Sequence, residues 1–197
     1  MAGARGSGRG ERTERPSPAE RRERRAAVDD PAVVLEAAAR FLEVRGRSVT
    51  EVRRRLGQAG YRPALVETAI ERLTELGMLD DTQFARTWIE SRDRARPRGE
   101  IALRRELALK GIERSVVDEL LDERRDAGAA DGGVDLAAAE RLLARHERTL
   151  ARETDPRSRR RKAYALLARN GFSPEVAAST ASRVAAGDDG PEEAATD

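Results

Sequence analysis

Residues 49–73 read VTEVRRRLGQAGYRPALVETAIERL, and the glycine turn in this stretch decides how the chain is organised. Ser48 and Glu51 stand at the spacing of a capping box, which satisfies the first free N–H groups of a helix. Val52 and Leu56 follow four apart, so that helix has an apolar face. Gly60 supplies the left-handed conformation that ends a helix, and Pro63 suits the first turn of the next. In that next helix Leu65, Ala69, Leu73 and Leu76 share one face, widened by Val66 and Ile70. Upstream, Asp30 followed by Pro31 reads as a cap and first turn opening the helix AVVLEAAARFLEV. The unit is therefore helix, helix, glycine turn, helix.

The same pattern recurs twice. Gly111 and Gly171 each follow a basic helix, and the residues after the three glycines are Tyr61, Ile112 and Phe172. Four residues before each glycine stand Leu56, Leu107 and Leu167; eight before stand Val52, Leu103 and Ala163; five after stand Leu65, Val116 and Val176. One such unit alone buries too little apolar surface to be stable, and stacking its neighbours solves that. The expected fold is all-α, an elongated tandem array of three-helix units over residues 30–79, 80–126 and 135–186 with a linker at 127–134. Asp80 is expected to cap the first helix of the second unit, with Leu79 and Phe84 as a hydrophobic staple and Phe84 and Trp88 in the core. Ser115 is expected to cap that unit's last helix, and residues 135–153 to form one long amphipathic run. Residues 1–29 and 187–197, basic and acidic respectively and poor in apolar side chains, are expected to be disordered tails.

Composition narrows the function. The chain of 197 residues is 38% charged and 3% aromatic, which suits a thin helical body better than one thick core. It has no cysteine, so disulfides, thiolate metal sites and thiol nucleophiles are excluded. No apolar run approaches a membrane span, and the arginines at 21, 22, 24 and 25 lack the apolar stretch of an export signal, so a cytoplasmic location is expected. His146, the one histidine, lies in the polar segment ARHERT and reads as a surface residue. Asp80 and Asp81 are explained by a helix start, and GARGSGRG has neither the spacing nor the preceding strand of a phosphate loop. The chain reads as a binding protein without catalysis, cofactor or metal.

Its charges are sorted by helix. The middle helices and the turns before them are basic: Arg53, Arg54 and Arg55; then Arg92, Arg94, Arg96, Arg98, Arg104, Arg105 and Lys110; then Arg157, Arg159, Arg160, Arg161, Lys162 and Arg169. The last helices of the first two units are acidic, through Glu67, Glu71 and Glu75 and through Asp118, Glu119, Asp122 and Glu123. A helix-turn-helix reading the major groove would bring Glu67, Glu71 and Glu75 close to phosphates, which argues against sequence-specific DNA recognition. With few aromatic residues for base stacking, DNA contact is expected to be weak and to the backbone phosphates. The candidate contact residues are Arg92, Arg94, Arg96, Arg98, Arg104, Arg105, Lys110, Arg157, Arg159, Arg160, Arg161 and Lys162, with Arg94, Arg96, Arg98, Arg104, Arg105 and Lys110 facing outward.

The segments LGMLDDTQFARTWIESR, 76–92, and RPRGEIALRRELALKGI, 96–112, together with VRGRSVTEVRRRLGQAGY and the tandem units, resemble the bacterial RecX family of recombinase regulators. The resemblance covers about residues 30–186 and is most specific in the middle unit. It implies an elongated all-helical protein that lies in the groove of the RecA filament on DNA, inhibits ATP hydrolysis and strand exchange, and so regulates recombination, repair and the SOS response. It also implies Asp80, Asp81, Phe84, Ala85 and Trp88 as one signature, and Gly99, Leu103, Glu106, Leu107, Lys110 and Gly111 as a second. A monomer is expected, since the units can cover one another's apolar faces. A general DNA-binding helical protein acting without RecA is the alternative.

Overall fold

Gly60, Gly111 and Gly171 all adopt positive φ, at 103°, 77° and 80°, so each basic helix ends in the turn that its glycine requires. A computed structural model describes residues 16–128 and 133–186; all its regular elements are helices. The first triplet is α2 (Pro31–Leu42), α3 (Val49–Ala59) and α4 (Pro63–Glu75); the second is α5 (Asp81–Ala95), α6 (Glu100–Leu109) and α7 (Arg114–Ala127). The third is α8 (Val134–Arg145) with the short α9 (Glu147–Leu150), then α10 (Pro156–Arg169) and α11 (Pro174–Ala186). Ahead of them all stands α1 (Pro18–Ala26).

Three apolar clusters hold the triplets. Val34, Val52, Leu56, Val66, Leu73 and Leu79 fill the first; Ala85, Ile89, Leu103, Leu107, Ile112 and Leu121 the second; Leu142, Leu143, Ala163, Leu167, Phe172 and Ala177 the third. The columns four and eight residues before each glycine are all core, and each such leucine contributes about 1.5–3 kcal/mol of burial. Ser48 and Glu51 close the expected capping box, and the Asp80 carboxylate accepts the Gln83 N–H at 2.9 Å.

Three local expectations are corrected. Residues 16–29, assigned to a disordered tail, carry α1, whose Ser17 and Glu20 form a complete capping box; residues 1–15 and 187–197 lie outside the described residues, as do 129–132 of the linker. The run 135–153 is interrupted at His146, which is exposed. Helix α7 begins behind Glu113, so Ser115 sits inside its first turn and donates to the Glu113 carboxylate at 2.8 Å instead of capping.

The triplets are joined by a repeated set of polar contacts. At the first junction Ser48 Oγ donates to the Lys110 carbonyl at 2.7 Å, and the Val49 N–H to the Asp81 carboxylate at 2.9 Å. At the second, the Gly99 N–H donates to the Asn170 carbonyl at 3.1 Å, and the Glu100 N–H to the Asp135 carboxylate at 3.2 Å. In both, the start of a middle helix sits on the glycine turn of the following triplet. Thr50 faces Gly111 and Ala102 faces Gly171, so closely that an added methyl group would lie 2.1 Å from Thr50 Oγ1 and 2.4 Å from the Ala102 N.

Lys110 Nζ strengthens the first junction by donating to Glu51 Oε1 at 2.6 Å. Burial alone would raise the Glu51 carboxyl, but Lys110 and Arg45 outweigh it and hold it below the usual carboxylate range. Its contribution is therefore complete above the unfolded carboxylate pKa, about 4.3, and fades as pH falls through the lower native value. Asp81 works in the opposite sense, since burial pushes its carboxyl up against the Val49 hydrogen bond, so acid relieves a cost there. Glu51→Gln is expected to flatten the rise of unfolding free energy between about pH 3 and 5. Urea titrations across that range check this, and an unchanged slope would show that the Glu51 pair contributes nothing.

Candidate partner and nucleic-acid interface

The middle helices do not offer all their cations to solvent. Arg92 stacks over Trp88, 4.2 Å from the ring centre, and its Nε donates to Glu106 Oε2 at 2.6 Å, the oxygen that also accepts the Trp88 indole N–H at 2.8 Å. Arg98 reaches across the second junction to the Asn170 amide oxygen, with its Nε 3.4 Å from Glu106. Arg104 is held by Glu100 and Asp118, and Lys110 by Glu51. Of the six cations expected to face outward, Arg98, Arg104 and Lys110 are instead half-buried and spent on internal pairs. The reason is that acidic residues on the last helices, together with Glu51 on α3 and Glu100 and Glu106 on α6 itself, meet the basic ones within the protein. Arg53 likewise pairs bidentately with Glu67, both contacts at 2.7 Å.

Of the twelve candidate contact residues, six remain exposed and, among the described residues, without an ion-pair partner. On the elbow and α6 these are Arg94, Arg96 and Arg105. On α10 they are Arg157, Arg160 and Arg161, where Arg161 touches only Ser158 Oγ at 3.5 Å. Arg159 is buried and donates to the Glu153 carbonyl at 3.1 Å, and Lys162 is paired with the Glu153 carboxylate. Arg157, Arg160, Arg161 and Tyr164 recur at helical spacing and line one shallow cleft of about 550 Å³ against Ala178, Ala181 and Ser182 of α11. Three cations side by side, with no carboxylate between them, make a site for polyanions.

The outer face of α6 has a different chemistry. Ile101 and Leu109 are 56% and 73% exposed, and Arg105 lies midway between them, one helical turn from each. An apolar, basic, apolar stripe suits a protein surface, since apolar side chains gain nothing beside phosphates. Ile101 and Leu109 lie off the face that the Leu103 and Leu107 columns set, so their exposure is legible from spacing, but they carry no charge to mark a contact surface.

Arg124 was the other residue concealed by its context. In the charged segment DERRD it resembles its solvated neighbours, yet it is 8% exposed at the second junction. Its guanidinium donates to both oxygens of Asp93 at 2.8 and 2.9 Å and to Asp135 at 2.6 Å. Burial alone would depress its pKa; the two carboxylates more than compensate and raise it. Nearby, Arg145 closes the end of α5 by donating to the Ala95 carbonyl at 2.5 Å. The elbow is thereby fixed between the second and third triplets, and Arg94 and Arg96 project from a rigid base.

Residues 35–73 match the family model for the first three-helix domain of RecX, and residues 80–121 that for the second. The Regulatory protein RecX of Mycobacterium sp. (strain JLS) is 33% identical over 141 residues, spanning 70% of this chain and 74% of the relative. This chain belongs to the RecX family. The Regulatory protein RecX of Chlorobium phaeobacteroides (strain BS1) is 32% identical over 74% of this chain and 89% of its own length. The crystal structure of RecX from Lactobacillus salivarius shares the fold, with a TM-score of 0.66 at 18% identity over 79% of this chain and 97% of that one. A second crystal structure, of a regulatory protein RecX, gives 0.65 at 21% identity over 76% and 70%. The all-α repeat is thus the RecX fold, and the chain stands among regulatory proteins. No helix among the described residues is long and apolar enough to cross a membrane, and none of their acidic and histidine side chains cluster as a metal site.

Proposed function

We propose that this RecX-family chain binds the RecA filament on DNA as a monomer in the cytoplasm, and restrains its ATP hydrolysis and strand exchange without catalysing a reaction itself. The observation that carries this reading is the division of the exposed cations between two chemistries. The α10 face, with Arg157, Arg160 and Arg161, suits phosphates. The α6 stripe of Ile101, Arg105 and Leu109, with Arg94 and Arg96 on the adjoining elbow, suits a protein. A filament of protein wound on DNA offers both, and several modest contacts along it add through effective concentration.

Reversing the charge at Arg157, Arg160 and Arg161 is expected to weaken binding to bare single-stranded DNA and to lower the slope of log affinity against log salt by up to ~2, about 0.7 per lost phosphate contact. Replacing Ile101 and Leu109 with aspartate is expected to leave that binding unchanged and to weaken binding to RecA filaments about tenfold or more. Anisotropy titrations with DNA alone and with preformed filaments separate the two faces. If the α6 variant binds both as tightly as the parent, the protein-docking half of the proposal fails, and a DNA-binding protein acting without RecA becomes the better account.

A further inference from the structure

Helix α1 buries none of its own residues, yet it is seated on the first triplet. A Cβ placed on Gly60 would lie 2.8 Å from the Arg22 carbonyl oxygen, and Arg25 Nη1 donates to the Ala59 carbonyl at 3.4 Å. Arg21, Arg22 and Arg25 fall on one side of this helix, and Glu20, Glu23 and Arg24 on the other. The side turned to α3 is the arginine side. There Arg21, Arg22 and Arg25 meet Arg55 and Gln58 of α3 along a cleft of about 230 Å³ that no carboxylate lines. Rotating α1 by half a turn about its axis would set its glutamates against Arg55. Instead four cations face one another, an arrangement that costs Coulomb energy until an anion enters.

The cations are held in place as well as gathered. Arg25 lies over the Tyr61 ring, 5.8 Å from its centre, and Arg55 over Phe41 at 5.7 Å. Arg21 Nη1 donates to the Pro16 carbonyl at 2.6 Å. None of the four has an ion-pair partner among the described residues, and the nearby Glu20 carboxylate is committed to the Ser17 N–H at 2.7 Å. The rest of the lining is Pro18 and Ala59, with no large apolar side chain, which separates this cleft from the α6 stripe. A protein surface gains from apolar contact, whereas a row of phosphates gains from arginine forks that each bind two oxygens.

We propose that the cleft between α1 and α3 is a second nucleic-acid site, taking the phosphodiester backbone of a DNA strand. It shares no residue with the α10 cleft and lies on a different triplet, so it stands independently of the role given to α10. With both clefts the chain is bivalent for DNA, and the second contact forms at the effective concentration set by the first.

Anisotropy titrations of a labelled oligothymidylate across a salt series test this on full-length chains. Arg21→Glu with Arg55→Glu is expected to weaken binding severalfold at low salt and to lower the slope of log affinity against log salt by about 1.4, from ~0.7 for each lost phosphate contact. Arg24→Glu with Arg54→Glu makes the same change of net charge on the same two helices, outside the cleft, and is expected to leave the slope unchanged. Arg21→Gln with Arg55→Gln, which sets no acid beside Arg22 and Arg25, should lower the slope as the reversal does. Far-UV circular dichroism should show equal helix content in all three. Combined with reversal at Arg157, Arg160 and Arg161, the losses in slope should add. Equal slopes for the cleft pair and the control pair would overturn the proposal, since net charge alone would then account for binding. So would a cleft pair that weakens binding to RecA filaments but not to bare DNA, which would make the partner an acidic protein surface. A loss at the cleft beside an unchanged α10 variant would uphold this site and remove the α10 one.

Discussion

Replacing Arg124 with methionine is expected to lower the unfolding free energy by about 3–5 kcal/mol, because it leaves Asp93 and Asp135 together at the second junction without their shared cation. The lost guanidinium makes three hydrogen bonds from a position 6% exposed, and no other cation is paired with either aspartate among the described residues. Methionine restores much of the volume, so the loss reports charge and hydrogen bonding more than a cavity. For a chain of this size the change corresponds to a Tm lower by roughly 10 °C. Hydrogen exchange should show the opening concentrated in α5, α7 and α8, which carry the three partners, while α2, α3 and α4 keep their protection. Lysine at the same place should recover only part of the stability, since a point charge cannot bridge two carboxylates as the planar fork does. Equal stability of the parent and Arg124→Met would show that the buried cation is incidental.

The second large effect is expected at Gly99. A Cβ there would lie 2.3 Å from the Gly171 carbonyl oxygen and 2.4 Å from Phe172 Cα. These are backbone atoms of the third triplet, and no rotamer change can relieve the overlap. Gly99→Ala should therefore cost about 3 kcal/mol or more, at the upper end of what overpacking produces, and should break the hydrogen bonds from Gly99 and Ile101 to the Asn170 and Gly171 carbonyls. Gly57→Ala is the control. Gly57 lies inside α3 with nothing within 4 Å of an added methyl, so it should gain up to ~1 kcal/mol of helix propensity. Thermal denaturation of the two variants should move in opposite directions. If both shift alike, the close approach at the second junction is not what holds the triplets together.

The glycine at position 99 also shows where sequence reasoning succeeds and stops. Turn glycines, caps and the apolar columns are local or periodic, so the all-α repeat and most of its core could be read from spacing alone. A glycine required by a neighbour in another triplet has no such pattern. Gly99 read only as part of a basic elbow and of a family signature, and Asn170, which meets it, gave no signal. The arginines repeat the lesson. Which partner meets Arg98, Arg104 or Lys110 depends on packing, with Asn170 lying 72 positions from Arg98, and formal charge says only that the side chains are cationic. The α10 face survived as a candidate surface because its acidic neighbours are already engaged, Asp155 in capping the helix and Glu153 with Lys162 and Ser158. Helix α1 was missed for a different reason. Its signature is the capping box in SPAE, and what holds it is backbone contact with Gly60, to which hydrophobic periodicity is blind.

Restraint of RecA by a monomer that touches both protein and phosphate is the central claim, and RecA-catalysed ATP hydrolysis on single-stranded DNA, titrated with this protein, tests it most directly. Hydrolysis should fall with added protein and approach its floor by a stoichiometric level. Inhibition should weaken as salt is raised, because the contacts proposed for α10 are ionic. Undiminished hydrolysis at a stoichiometric level of the folded protein would contradict the account.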